Sequence, residues 1–217
     1  MQFFLDSADI DEIKEINNLR IIDGITTNPS LIARINKDFK STIATICKTI
    51  MGDVSVEVAA NDFEGMVTQG NKILNIASNI VIKLPLTWDG IKACKYFSEN
   101  SVKVNMTLCF SANQALIAAK AGATYISPFI GRLDDIGQNG MQLIRDIKQL
   151  YINYPTLKTK ILAASIRSPE HVHHSALFGA DVATMPAKII KQLLDHQLTA
   201  KGLEIFNQDW ISSGLEI

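Results

Sequence analysis

The chain has 217 residues, and its 21 Lys and Arg against 22 Asp and Glu leave a formal net charge of −1. That balance argues against a nucleic-acid binder, which needs a basic surface to offset phosphate charge. A hydrophobic fraction of 47% with 20% charged residues is too apolar for disorder, and the length suits one domain with a large core. It also meets the roughly 200 residues of the smallest complete eightfold βα barrels. The cysteines Cys47, Cys94 and Cys109 form no C-x-x-C pair and read as small buried hydrophobes in a reducing compartment. The amino terminus has no cationic region and reaches an acid at Asp6, unlike a signal peptide. No window of about twenty apolar residues is free of charge. The expectation is a soluble cytoplasmic protein with no membrane or nucleic-acid partner.

Short apolar runs alternate with longer amphipathic stretches, and no Gly/Ser/Pro-rich linker divides the chain. The runs fall at 3–5, 24–26, 54–58, 80–84, 102–107, 125–127, 160–163 and 181–184. VSVEV and IVIKL carry β-branched apolar residues in quick succession, as strands covered on both faces do. Between them, Ser7, Ala8 and Asp9 precede IDEIKEI, whose Ile10, Ile13 and Ile16 recur at helical spacing. Ser111 precedes ANQALIAAKAG, and Gly122 stands where a helix C-cap belongs. Ser168, Pro169 and Glu170 supply an N-cap, a first-position proline and a first-turn acid, and Gly179 closes that helix.

Eight apolar runs, each followed by a helical stretch, predict an α/β fold: a single-domain, eight-stranded parallel (β/α)8 TIM barrel over residues 1–217. The alternative is an open doubly wound sheet. Its Gly-rich first turn is missing here, since residues 5–8 read LDSA and no phosphate-binding P-loop occurs. Helices are expected near 187–197 and 200–208. The extension at 199–217, with Asp209 and Trp210, exceeds what a barrel needs and is expected to pack on a neighbouring subunit or on its own barrel.

Barrel enzymes place their chemistry at the C-terminal ends of strands, where the loops converge on one mouth. All runs but the last offer polar groups there: Asp6, Thr26 with Thr27 and Asn28, Glu57, Lys83, Asn105 with Thr107, Ser127 with Arg132, and Ser165 with Arg167. Lys83, between Ile82 and Leu84, is either a snorkelling strand-end lysine or a desolvated amine able to attack a carbonyl. Asp6 is either a helix cap or a second functional acid; Glu57 lies on an apolar strand and needs a partner or a role. One amine and two acids are the set that Schiff-base carbon–carbon chemistry requires. Arg132, Ser165 and Arg167, with a helix N-terminus at Ser168, suit a phosphate. His171, His173 and His174 fall within one predicted helix with no acid at ligand spacing, so they read as a polar face and not as a metal site. His196 stands alone.

These residues resemble the small transaldolases, a subfamily that also contains fructose 6-phosphate aldolases. The resemblance covers essentially the whole chain. It rests on LDSAD at 5–9, GITTNPSL at 24–31, VIKLP at 81–85, NMTLCFSANQA at 105–115, ISPFIGRLDD at 126–135 and AASIR at 163–167. It implies that Lys83 forms the Schiff base and that Asp6 handles the C4 hydroxyl proton. Glu57 and Thr107 would hold the water that shuttles protons. Thr27, Asn28, Asn105 and Ser127 would contact the bound three-carbon unit beside Phe129, while Arg132, Ser165 and Arg167 would grip a phosphate. Fructose 6-phosphate aldolases typically carry Gln in place of Glu57 and Tyr in place of Phe129, so the implied activity is dihydroxyacetone transfer between sugar phosphates in the pentose phosphate pathway. No metal and no organic cofactor is implied. The family also implies a homo-oligomer, a decamer of two five-membered rings. Fructose 6-phosphate aldolase activity and a non-catalytic phosphosugar-binding barrel stand as the alternatives.

Overall fold

The computed structural model describes residues 1–35 and 38–216. Its strands are β1 (Gln2–Asp6), β2 (Gly24–Thr26), β3 (Asp53–Glu57), β4 (Ile80–Pro85), β5 (Val104–Cys109), β6 (Tyr125–Pro128), β7 (Lys160–Ala163) and β8 (Val182–Met185). All pair in parallel in sequence order, and β8 pairs with β1 to close the barrel. The described helices are α1 (Ile10–Asn17), α2 (Pro29–Ile35), α3 (Phe39–Thr49), α4 (Phe63–Leu74), α5 (Trp88–Glu99), α6 (Ala112–Lys120), α7 (Ile130–Asp135), α8 (Gly140–Asn153), α9 (Pro169–Leu177), α10 (Ala187–Gln192) and α11 (Gln197–Ser213). None is long and apolar enough to cross a membrane.

Capping follows the sequence signals. Asp9, and not Asp6, caps α1 by accepting from the N–H groups of Asp11 and Glu12, which leaves the Asp6 carboxylate for another use. Ser111 and Ser168 cap α6 and α9, while Gly122 and Gly179 adopt positive φ just past their helices. The C-terminal region departs from the expected spans. α10 stops at Gln192, and α11 starts at Gln197 because His196 Nδ1 accepts from Leu198 N at 3.1 Å. It then runs unbroken past Gln208 to Gly214, whose φ of 66° ends it.

The strands are not apolar on both faces. Val54, Val56, Ile80, Ile82 and Leu84 pack in the large core beneath the helices, whereas the intervening positions point into the barrel. The interior is then filled in tiers, because inward side chains from neighbouring strands meet at matched heights. At the bottom, Phe4 packs edge-on to Tyr125 with Val81, Leu162 and Val182, and Tyr125 donates to Asp53 at 2.8 Å. The tier above is polar and fully buried: Ser127 donates to Asn105 at 2.7 Å, and Asn105 donates to Ser55 at 3.2 Å. The top tier opens to the mouth. Outside the barrel, burial raises the thiol pKa of Cys47 to about 11 and those of Cys94 and Cys109 to about 12, so all three are unreactive thiols at neutral pH.

Candidate active site

A cavity of about 440 Å³ opens at the C-terminal end of the strands. Lys83 forms its floor and is 5% exposed. The registers Glu57↔Lys83 and Lys83↔Asn105 place an acid and an amide on either side of the amine. Its Nζ lies 3.0 Å from Glu57 Oε2 and donates to the backbone oxygen of Thr27 at 2.9 Å. An amine this buried is tolerated only with such partners. The snorkelling alternative does not describe it, because the side chain is 6% exposed and its amine is held between Glu57 and Thr27 and not extended into solvent.

Asp6 enters from β1. Its Oδ1 accepts from Thr26 Oγ1 at 2.8 Å, and the Thr26 and Thr184 hydroxyls lie 2.6 Å apart. Since the Thr26 proton goes to Asp6, Thr184 is the donor in the second bond. Burial raises the Asp6 pKa, and the nearby Lys83 charge and the Thr26 hydrogen bond offset this only in part. The result is a carboxyl held closer to neutrality than an exposed aspartate, as proton transfer to and from a substrate hydroxyl requires.

Thr107 lines the same cavity, and its buried hydroxyl has no hydrogen-bond partner among the described residues. A buried hydroxyl without a protein partner keeps its hydrogen-bonding capacity for what enters the cavity. Alternation from Asn105 turns Thr107 inward, and a bulge against β6 brings the next residue in beside it. β5 advances from Met106 to Cys109 while β6 advances only from Ile126 to Pro128, and Leu108 takes up the extra residue at φ 61°. Thr107 and Leu108 therefore both face the cavity. Asn28 caps α2 by accepting from Leu31 N at 2.9 Å, so its amide N–H groups are left for the cavity that it lines. Ser127 and Phe129 complete the wall, Phe129 edge-on to Phe110.

At the rim, the Arg132 guanidinium lies 5.0 Å from the centroid of the Phe129 ring, and Ser165 lines the cavity at φ 58°. The Gly131 N–H donates to the Ser165 carbonyl at 3.1 Å, and a Cβ at Gly131 would collide with that oxygen. Only glycine lets α7 approach the loop after β7 so closely.

Three expected substrate contacts sit elsewhere. The Thr27 hydroxyl donates to the Ser55 carbonyl, so Thr27 presents its backbone oxygen to Lys83 instead of a side chain to the cavity. Asn105 is fully buried one tier down, where it holds Ser127. The Arg167 fork is paired with Asp135, with Nη2 2.6 Å from Oδ2, outside the cavity lining. Conversely, Thr184, Leu31 and Arg34 line the cavity without having been anticipated. Thr184 obeys the same strand-end rule as the others, in the one run where that rule was not applied. Arg34 comes from α2, and no sequence signal turns that helix toward the mouth.

The profile of the Transaldolase/Fructose-6-phosphate aldolase family matches residues 3–214. The chain belongs to this family. Relatives called "Probable transaldolase" in Parvibaculum lavamentivorans and Brucella anthropi are each 56% identical over the full length of both chains. One of the same name in Bartonella tribocorum is 54% identical, again end to end.

Proposed function

We propose that the protein is a transaldolase that works through a Schiff base on Lys83. The observation that carries this reading is the Lys83 amine, buried on the cavity floor between Glu57 and the carbonyl of Thr27 and within reach of the Asp6 charge. Lys83 attacks the C2 ketone of a ketose phosphate, and loss of water from the carbinolamine gives the imine. Glu57 and the unpartnered Thr107 hydroxyl hold the water that carries protons in this step. Asp6 then takes the C4 hydroxyl proton, the C3–C4 bond breaks, and its electron pair flows to the imine nitrogen. An aldose phosphate leaves, and an enamine remains on Lys83. Its C3 adds to the aldehyde carbon of a second aldose phosphate, whose oxygen takes the proton back from Asp6. Water releases the new ketose phosphate and restores the amine.

Asn28 and Ser127 orient the hydroxyls of the three-carbon unit, with Thr27 and Asn105 acting one step back. Arg132 and Ser165 take the phosphate. Arg167 joins them by exchanging Asp135 for the phosphate, since an ion pair this exposed is screened by water and holds weakly. Phe129 favours transfer over simple cleavage: its ring has no proton to give the enamine, which therefore persists until an acceptor arrives. The substrates are sugar phosphates, and the chain is one barrel domain, with residues 199–217 as an extension through which copies associate.

The test is glyceraldehyde 3-phosphate release from fructose 6-phosphate with and without erythrose 4-phosphate. Release that depends on the acceptor, together with an adduct trapped on Lys83 by borohydride, is the expected result. Equal release without acceptor would make the protein an aldolase. No adduct at Lys83 would leave a phosphosugar-binding barrel.

A further inference from the structure

His171, three residues into α9, lies outside the reacting groups, yet both of its ring nitrogens are engaged. Nδ1 accepts the backbone N–H of Arg167 at 3.2 Å. A nitrogen that accepts carries no proton, so the ring proton sits on Nε2, 3.1 Å from Asp134 Oδ2. The other Asp134 oxygen accepts from Gly140 N at 2.9 Å. The imidazole thus ties the loop after β7 to the helix that carries Arg132 and, through Asp134, to the first turn of α8. The ring is only 18% exposed.

Ser165 explains why such a tie matters. Its backbone sits at φ 58°, a conformation that a serine keeps only when its surroundings impose it. Gly131 N–H holds the Ser165 carbonyl. Before Ser165, Ala164 is held by Pro128 and by Ile130 N–H, and beyond it the next anchored backbone group is the Arg167 N–H on His171. Release of that anchor gives the strained turn an outlet on its C-terminal side, where the Gly131 bond alone would then set the aim of Ser165 relative to Arg132.

We propose that His171 is a positioning residue for phosphate recognition, holding Ser165 and Arg132 as one preformed anion site by accepting the Arg167 N–H, with Asp134 fixing the orientation of its ring. This rests on the reading of Arg132 and Ser165 as the phosphate ligands. Preformed donors bind an anion more tightly than donors that must first be ordered, because the ordering is already done.

The two contacts can be separated. Asn places an oxygen where histidine has Nδ1, whereas Gln places its amide near Nε2. In a two-step transfer, kcat/KM for the acceptor reports only the loaded enzyme meeting that acceptor. We compare erythrose 4-phosphate with unphosphorylated erythrose, using fructose 6-phosphate as donor. Loss of one hydrogen bond in the phosphate site predicts that His171→Ala and His171→Gln lower kcat/KM for erythrose 4-phosphate about tenfold and leave that for erythrose unchanged. His171→Asn, which keeps the acceptor, stays within about twofold of wild type on both. The ratio of the two acceptors within one variant does not depend on how much of it is folded. Equal losses on both acceptors would overturn the proposal, as would a Gln variant that outperforms Asn on erythrose 4-phosphate. Wild-type enzyme indifferent to the phosphate would remove the anion site itself, a failure visible before any variant is made.

Discussion

At Asp6, burial and neighbouring charge pull in opposite directions, and burial prevails. Its folded pKa lies above the usual 3.8 despite Lys83 and the Thr26 hydrogen bond. An acid of this kind binds its proton more tightly in the native state than in the unfolded chain. Its charge therefore costs nothing below the unfolded pKa, costs progressively more as pH rises, and costs most above the folded pKa. Asp6→Asn is accordingly expected to be more stable than wild type at pH 7, with the difference shrinking as pH falls toward 3.8. Its turnover should drop by roughly 100-fold or more, the usual contribution of a positioned acid–base group. Urea midpoints at pH 5 and pH 7, alongside kcat, check both halves. A variant less stable than wild type at pH 7 would mean that attraction to Lys83 outweighs desolvation.

Elements place these residues, and the bulge in β5 shows how. Without it, strand alternation would send Leu108 outward, while Thr107 already faces in at the level set by its pairing with Pro85. Leu108 accommodates the extra residue at φ 61°, where a β-branched side chain is more strained than an unbranched one. Leu108→Val is expected to cost about 1–2 kcal/mol and to lower kcat, whereas Leu108→Met, close in volume and unbranched, costs less than about 1.5 kcal/mol and keeps activity. Equal urea midpoints for the two would show that the backbone conformation is not strained. Much of this architecture was legible in the sequence. In VSVEV and IVIKL, period two sends Ser55, Glu57, Val81 and Lys83 inward, and the caps at Asp9, Ser111 and Ser168 marked helix starts. What stayed hidden depends on distant partners. Arg167 reads as a free cation because Asp135 lies 32 residues away, and the position of Asn105 one tier below the cavity lining is hidden because depth within the barrel is not a property of one strand. His171 read as part of a polar helix face because its carboxylate partner sits on another helix, and His196 is an uncommon cap.

For the molecule as a whole, α11 is the element that the barrel does not account for. None of its residues is buried, and Leu203, Phe206 and Trp210 recur at the spacing of one helical face. Phe206 is 71% exposed and Trp210 43%. Large apolar side chains aligned along an exposed helix mark a surface that another surface covers. Most helical stability in proteins comes from packing of an apolar face, so α11 draws its stability from what covers that face. A second copy of the chain is the occupant that the family resemblance implies, and no residue of α11 is buried against its own barrel. The double variant Phe206→Asp with Trp210→Asp places two charges on that face and is expected to reduce the mass seen in sedimentation equilibrium. The catalytic cavity draws its lining from residues 6–184, so borohydride trapping at Lys83 should survive the change. An unchanged mass would show that copies associate through another surface, and a wild-type monomer would show that α11 is covered by something other than this chain.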